Sequence, residues 1–190
     1  AGDTAWGLIS AGLVMLMTPA LAFFYGGMVR RKNILAILMK CFACLGVLLL
    51  LWAVYGYSLA FGKGGPFIGS LEWLWLKGVG LAPNPDYAAT VPHNAFMIFQ
   101  AMFAVITPAV IIGSLAERIK FSAFLLFIVL WLTLVYVPIC HMVWGVDGWL
   151  KAKGVLDFAG GCVVEINCGV AGLVSAIILG KRIGLTRPTL

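Results

Sequence analysis

Five apolar stretches, each long enough to cross a lipid bilayer, dominate this chain, at about Ala5 to Met28, Ile34 to Phe61, Ala95 to Leu115, Phe121 to Val143 and Phe158 to Leu179. A hydrocarbon core of about 30 Å needs roughly 20 such residues at about 1.5 Å each. Backbone surrounded by lipid must pair its own polar groups, so runs of this kind fold as helices. The expected class is all-α, a polytopic membrane protein with five transmembrane helices. With 63% hydrophobic and 11% charged residues, the chain also lies outside the range of soluble globular domains. The connection from 62 to 94 holds GKGGPFIG and PNPDYAATVPHN, whose Gly and Pro punctuation argues against a further span. Its tryptophans, Trp73 and Trp75, are expected as anchors at the outer membrane interface.

The net charge of +6 does not form a nucleic-acid surface, because the basic residues stand in short clusters between apolar runs. Alternate connections carry Arg30, Arg31, Lys32, Arg118, Lys120, Lys181, Arg182 and Arg187, eight in all, against Lys63, Lys77, Lys151 and Lys153 on the other side. The positive-inside rule assigns the richer set to the cytoplasm. The N-terminus is then outside, the Leu190 end cytoplasmic, and the protein multi-pass in the cell inner membrane. A chain that begins at Ala1 rather than Met fits a cleaved signal peptide or a trimmed sequence equally well.

Within the fifth run one residue stands apart. Glu165 is the single charge between Phe158 and Leu179, and a charged side chain at mid-bilayer costs at least about 3 kcal/mol. Intramembrane acids of this kind face a packed interior or a wet cavity and mark pathways or relays. Gly161, Cys168, Gly169 and Gly172 lie at helical spacings from it, so a single small-residue face is expected. Lys40, seven residues into the second span, reads as a snorkelling or helix-paired lysine. Cys41, Cys44, Cys140, Cys162 and Cys168 form no repeated ligand spacing and read as apolar packing, with no metal or cofactor implied. His93 and His141 stand alone and read as structural hydrogen-bond partners. No phosphate-binding loop or nucleophile motif occurs, so the chain does not read as an enzyme.

Five segments, taken in order, carry a resemblance: FFYGGMVRRKN, LLWAVYGYSLAFG, IIGSLAERIKFSA, HMVWG and DFAGG. Together they resemble the ammonium transporter family, the Amt/Mep/Rh superfamily, and in particular its bacterial Amt branch. Members are about twice as long, with eleven spans built as two inverted five-helix repeats and a final helix. The resemblance therefore implies that residues 1–190 are the N-terminal half of an ammonium transporter domain, in a homotrimer with one pore per subunit between the two repeats.

The resemblance also implies roles for individual residues. Phe103 matches an aromatic that lines the ammonium-binding vestibule and forms one leaf of a gate, and Phe99 matches a second pore-mouth aromatic. Trp144 matches the indole that faces the cation. A small cation over an aromatic face gains about 0.5 to 2 kcal/mol, although helix packing explains the same residues when the motif is set aside. Asp157 matches an acid below the vestibule that acts through its field and through backbone carbonyls, with Ala159 in the same turn. Its simpler reading is a helix N-cap. Glu165 takes the place of the first of two pore histidines, which exchanges an imidazole for a group that only accepts hydrogen bonds until it is protonated.

Two functions follow from the resemblance. One is ammonium uptake: recruitment of the cation, deprotonation, and passage of ammonia and a proton through a hydrophobic pore. The other is an ammonium sensor, a membrane domain that binds the cation and signals through a fused cytoplasmic domain with little flux. Implied partners are ammonium or ammonia, the lipid bilayer, further copies of the chain, and a PII-type regulator or a fused signalling domain. Nucleic acid is not among them.

Overall fold

A computed structural model describes residues 1–182; Arg187 and Leu190, used above to assign the sides of the membrane, lie outside the described residues. Among the described residues, five helices have the length and apolarity to span a bilayer. They are α1 (Gly2–Gly27), α2 (Arg31–Phe61), α3 (His93–Leu115), α4 (residues 121–144) and α5 (Gly161–Leu179). The third packs on α1, α2 and α5, while α2 also packs along α4. Accordingly α3 is the most enclosed, burying Ala101, Val105, Ala109 and Ile112 against its neighbours.

Close approach of α1 to α3 depends on one pair. A side chain added at Gly113 would begin 2.9 Å from the Tyr25 ring, and the Tyr25 hydroxyl, seated there, donates to the Val110 carbonyl at 2.8 Å. Glycine in α3 thus makes room for the tyrosine of FFYGG, and the hydroxyl finds an acceptor inside the bundle, as a buried phenol requires.

Three of the helices contain a π turn, at Trp52–Gly56 in α2, Leu132–Tyr136 in α4 and Gly161–Ile166 in α5. Such a turn adds a residue and shifts the face that follows it. The single small-residue face expected around Glu165 is corrected by this shift. Cys168 turns into the core at 6% exposure, whereas Gly161, Glu165 and Gly169 point outward and Gly172 meets Ser114. The start of the fifth helix also differs from the expected Phe158, because Gly160 takes a left-handed conformation (φ 97°) that interrupts the helix before Gly161.

The 62–94 connection is ordered. Pro83–Asn84 (β1) and Ala88–Pro92 (β2) pair as an antiparallel ribbon, Pro83 opposite Pro92. Trp73 packs inward from this connection. It is part of an internal aromatic group, stacked on Tyr57 at 5.5 Å and set edge-on to His93 at 4.7 Å, while Trp75 remains exposed. The histidines serve this packing: His93 Nε2 bonds the Tyr57 hydroxyl at 2.6 Å, and His141 lies between the carbonyls of Ala60 (3.0 Å) and Gly65 (2.8 Å). Cys41, Cys44, Cys140 and Cys168 are buried and Cys162 half-buried.

At the opposite end, Glu117 ties two connections together. Its Oε1 accepts from Arg30 Nε at 2.9 Å and from Asn33 Nδ2 at 2.6 Å, with only 7% of its side chain exposed. Burial alone pushes this carboxyl up, but the hydrogen bonds from Arg30 and Asn33 outweigh burial and hold it below its ordinary value. A depressed folded-state value means that the contribution is complete above the unfolded carboxyl's pKa of about 4.3 and is lost as pH falls through the lower folded-state value. Glu117→Gln is expected to lower stability at pH 7 by roughly 1 to 3 kcal/mol and to flatten the acid-side fall of the thermal midpoint. Melting of the full-length protein in detergent between neutral and acidic pH checks both.

Candidate functional site

Two helix ends and one turn build the site. The first half of α3 presents Phe99 and Phe103 one turn apart on the same face, and their rings meet edge-on at 5.0 Å. The last residue of α4, Trp144, stands edge-on to Phe103 at 6.2 Å. The third component is the turn from Asp157 to Gly160, which leads into α5.

Asp157 organises that turn. Its Oδ1 accepts from the Gly160 amide at 2.7 Å, and its Oδ2 accepts from the amides of Cys162 (2.8 Å) and Val163 (3.0 Å). The opening amides of a helix have no partners within it, and an aspartate before the first turn is the usual remedy. The Asp157 carbonyl accepts the Trp144 indole N–H at 2.9 Å, so the residue that caps α5 also fixes the plane of the tryptophan. Lys151 Nζ, on the single helical turn Trp149–Ala152, donates to the Trp144 carbonyl at 3.1 Å.

These groups enclose a cavity of about 490 Å³. Phe99, Phe103, Trp144, Asp157 and Ala159 all contribute to its wall. Glu165 does not. Its carboxylate folds back beneath the turn, with Oε2 3.6 Å from the position that a Gly160 side chain would take, and Gly160 adjoins Ala159 of the cavity wall.

Among the lining residues that the sequence reading does not assign to the site are Gln100 and Tyr87. Gln100, 8% exposed, lines the cavity, and its Oε1 lacks a hydrogen-bond partner among the described residues. Its one signal is a polar residue inside FQAMF. Tyr87, from the ribbon turn, donates to the Phe61 carbonyl and accepts from the Val146 amide at 3.2 Å. Burial pushes the Tyr87 phenol up, which keeps it a neutral donor. The wall sets aromatic faces and one unpartnered amide oxygen beside the charged Asp86 and Lys151; toward a small cation with N–H groups the rings supply quadrupole attraction and the amide a directional acceptor.

The sequence model of the Ammonium Transporter Family matches residues 5–189. An ammonium transporter of Bacillus subtilis is 56% identical over 181 residues, which cover 95% of this chain and 44% of that protein. Among solved structures, Candida albicans Mep2 superposes with a TM-score of 0.83 at 39% identity, over 95% of this chain and 39% of Mep2. A sensor Amt protein superposes with a TM-score of 0.86 at 26% identity, over 95% of this chain and 45% of the sensor. The chain spans less than half the length of these relatives.

Replacing Asp157 with alanine is expected to free the amides of Gly160, Cys162 and Val163, at a cost of about 0.5 to 2 kcal/mol. Hydrogen exchange at those amides should quicken relative to the rest of α5, with Asp157→Asn intermediate. Unchanged protection in the alanine variant would remove the capping role.

Proposed function

Since the chain belongs to the ammonium transporter family, we propose that its five helices form one half of a pore that carries ammonium across the membrane. The observation that carries this reading is the cavity walled by Phe99, Phe103 and Trp144, with the indole held by the Asp157 carbonyl. The chain is part of a multi-pass membrane protein. The proposal adds the cell inner membrane, an external N-terminus, and assembly as a homotrimer in which the remaining part of each subunit covers the Glu165 side of α5.

Ammonium is recruited between the aromatic faces, where the rings substitute for part of its hydration. A cation without water pays heavily in a low-dielectric pore, whereas neutral ammonia does not, so deprotonation at the cavity floor makes an apolar conduit usable. Asp157 acts here as a positioning residue, since three amides already occupy its carboxylate. Glu165, below the turn, receives and passes on the proton. As a carboxylate it accepts; once protonated it donates onward.

A sensor is the second reading, favoured by the likeness to the sensor Amt protein. It replaces flux with occupancy of the same cavity and signals through a fused domain or a PII-type partner.

Ammonium pulses applied to membranes holding the full-length protein should give saturable currents. Trp144→Leu is expected to raise the half-saturating concentration roughly 2- to 30-fold, the equivalent of about 0.5 to 2 kcal/mol. Tight ammonium binding without current would favour the sensor. Glu165→His should shift the pH dependence of the current and leave half-saturation nearly unchanged; an identical pH profile would count against Glu165 as a proton carrier.

A further inference from the structure

The central cavity already carries an ammonium group of the protein's own. Lys151 lines it, and Nζ donates to the Trp144 carbonyl at 3.1 Å while lying 5.8 Å from the centre of the Tyr87 ring. These are the attractions that a free ammonium ion would meet there, a carbonyl acceptor and an aromatic face. Among the described residues of the wall Lys151 is the one cation, and it shares that wall with two carboxylates. Neither forms an ion pair with it. Asp86 is paired instead with Lys63 at 3.1 Å, and Asp157 is engaged by the amides of Gly160, Cys162 and Val163. Lys153, two residues further on, behaves differently: its Nζ lies 4.4 Å from the Trp149 ring centre, away from the residues that line the cavity.

We propose that Lys151 is a tethered competitor of the recruited cation, an affinity-setting residue that keeps half-saturation of the cavity higher than the aromatic wall alone would give. The proposal rests on the reading that this cavity recruits ammonium. A cation entering between Trp144 and Tyr87 meets the lysine charge at the same carbonyl and the same ring. Because Lys151 is exposed, the repulsion is modest, a factor of about 1.5 to 5 in affinity. It is also sensitive to salt, since the screening length contracts from about 30 Å at 0.01 M to about 3 Å at 1 M. Conduction needs binding weak enough for release, so the lysine favours turnover over occupancy.

Half-saturation of the full-length protein by ammonium, read from currents in reconstituted membranes and from calorimetric binding, tests this at several sodium chloride concentrations. At about 0.01 M salt, Lys151→Gln keeps a donor for the Trp144 carbonyl and is expected to lower the half-saturating concentration about 1.5- to 5-fold, with the difference vanishing towards about 1 M. Lys151→Arg retains the charge and should stay nearer the unsubstituted protein than the glutamine variant does. Lys153→Gln, outside the wall, should leave half-saturation nearly unchanged. A lysine that only braces Trp144 gives the opposite sign, a rise in half-saturation on Lys151→Gln that salt does not remove, and that result would overturn the proposal. So would an unmoved half-saturation, or an equal fall in Lys153→Gln. If the unsubstituted protein shows no saturable response to ammonium by either readout, the recruitment reading itself fails and this proposal falls with it.

Discussion

The architecture of the central cavity rests on Asp157. A helix that begins inside a membrane protein exposes amides that neither lipid nor its own backbone can satisfy. Asp157 takes three of them with its two carboxylate oxygens, and its carbonyl holds the Trp144 indole. One residue thereby fixes where α5 starts, how the turn over Gly160 runs, and which way the last side chain of α4 faces. Phe103 and Phe99 then pack outward from that indole.

The same economy operates at the other end of the bundle, with the charges reversed. Glu117 gathers Arg30 and Asn33 across two connections, which joins α1, α2, α3 and α4 through a single carboxylate. Because that anion is committed, Lys40, Arg118 and Lys120, which line a cavity of about 300 Å³ beside it, have no carboxylate partner among the described residues. The two ends differ in purpose as well as sign: aromatic faces dominate one cavity, fixed charge the other.

Helix number and placement were legible because apolar length is written directly in composition, and the five helices of the structure follow the five apolar stretches. What could not be read was register within them. A π turn at Gly161–Ile166 has no residue-type signature, so α-helical spacing puts Cys168 on the Glu165 face, whereas the structure turns it into the core. The ring partners of Trp73 were not legible either, because an aromatic in a polar connection looks alike whether it meets lipid headgroups or another ring. Asp157 was legible as a cap, since a carboxylate before a helix is a cap wherever the helix lies. Gln100 was not, because one amide among Phe, Met and Ala carries no pattern until its neighbours are placed.

The wide turns of α2 and α4 are joined directly, Tyr55 hydroxyl to Thr133 Oγ1 at 2.6 Å. Each wide turn stores one residue more than a regular helix would use, so at these two levels chain length and helix rotation are uncoupled. Deleting a residue there could restore regular winding locally, whereas the same deletion elsewhere would swing every subsequent side chain around the axis. The cross-link makes the two reserves interdependent: if either turn tightened, its partner would lose a half-buried hydrogen bond, so the pair forms a single joint between the two helices.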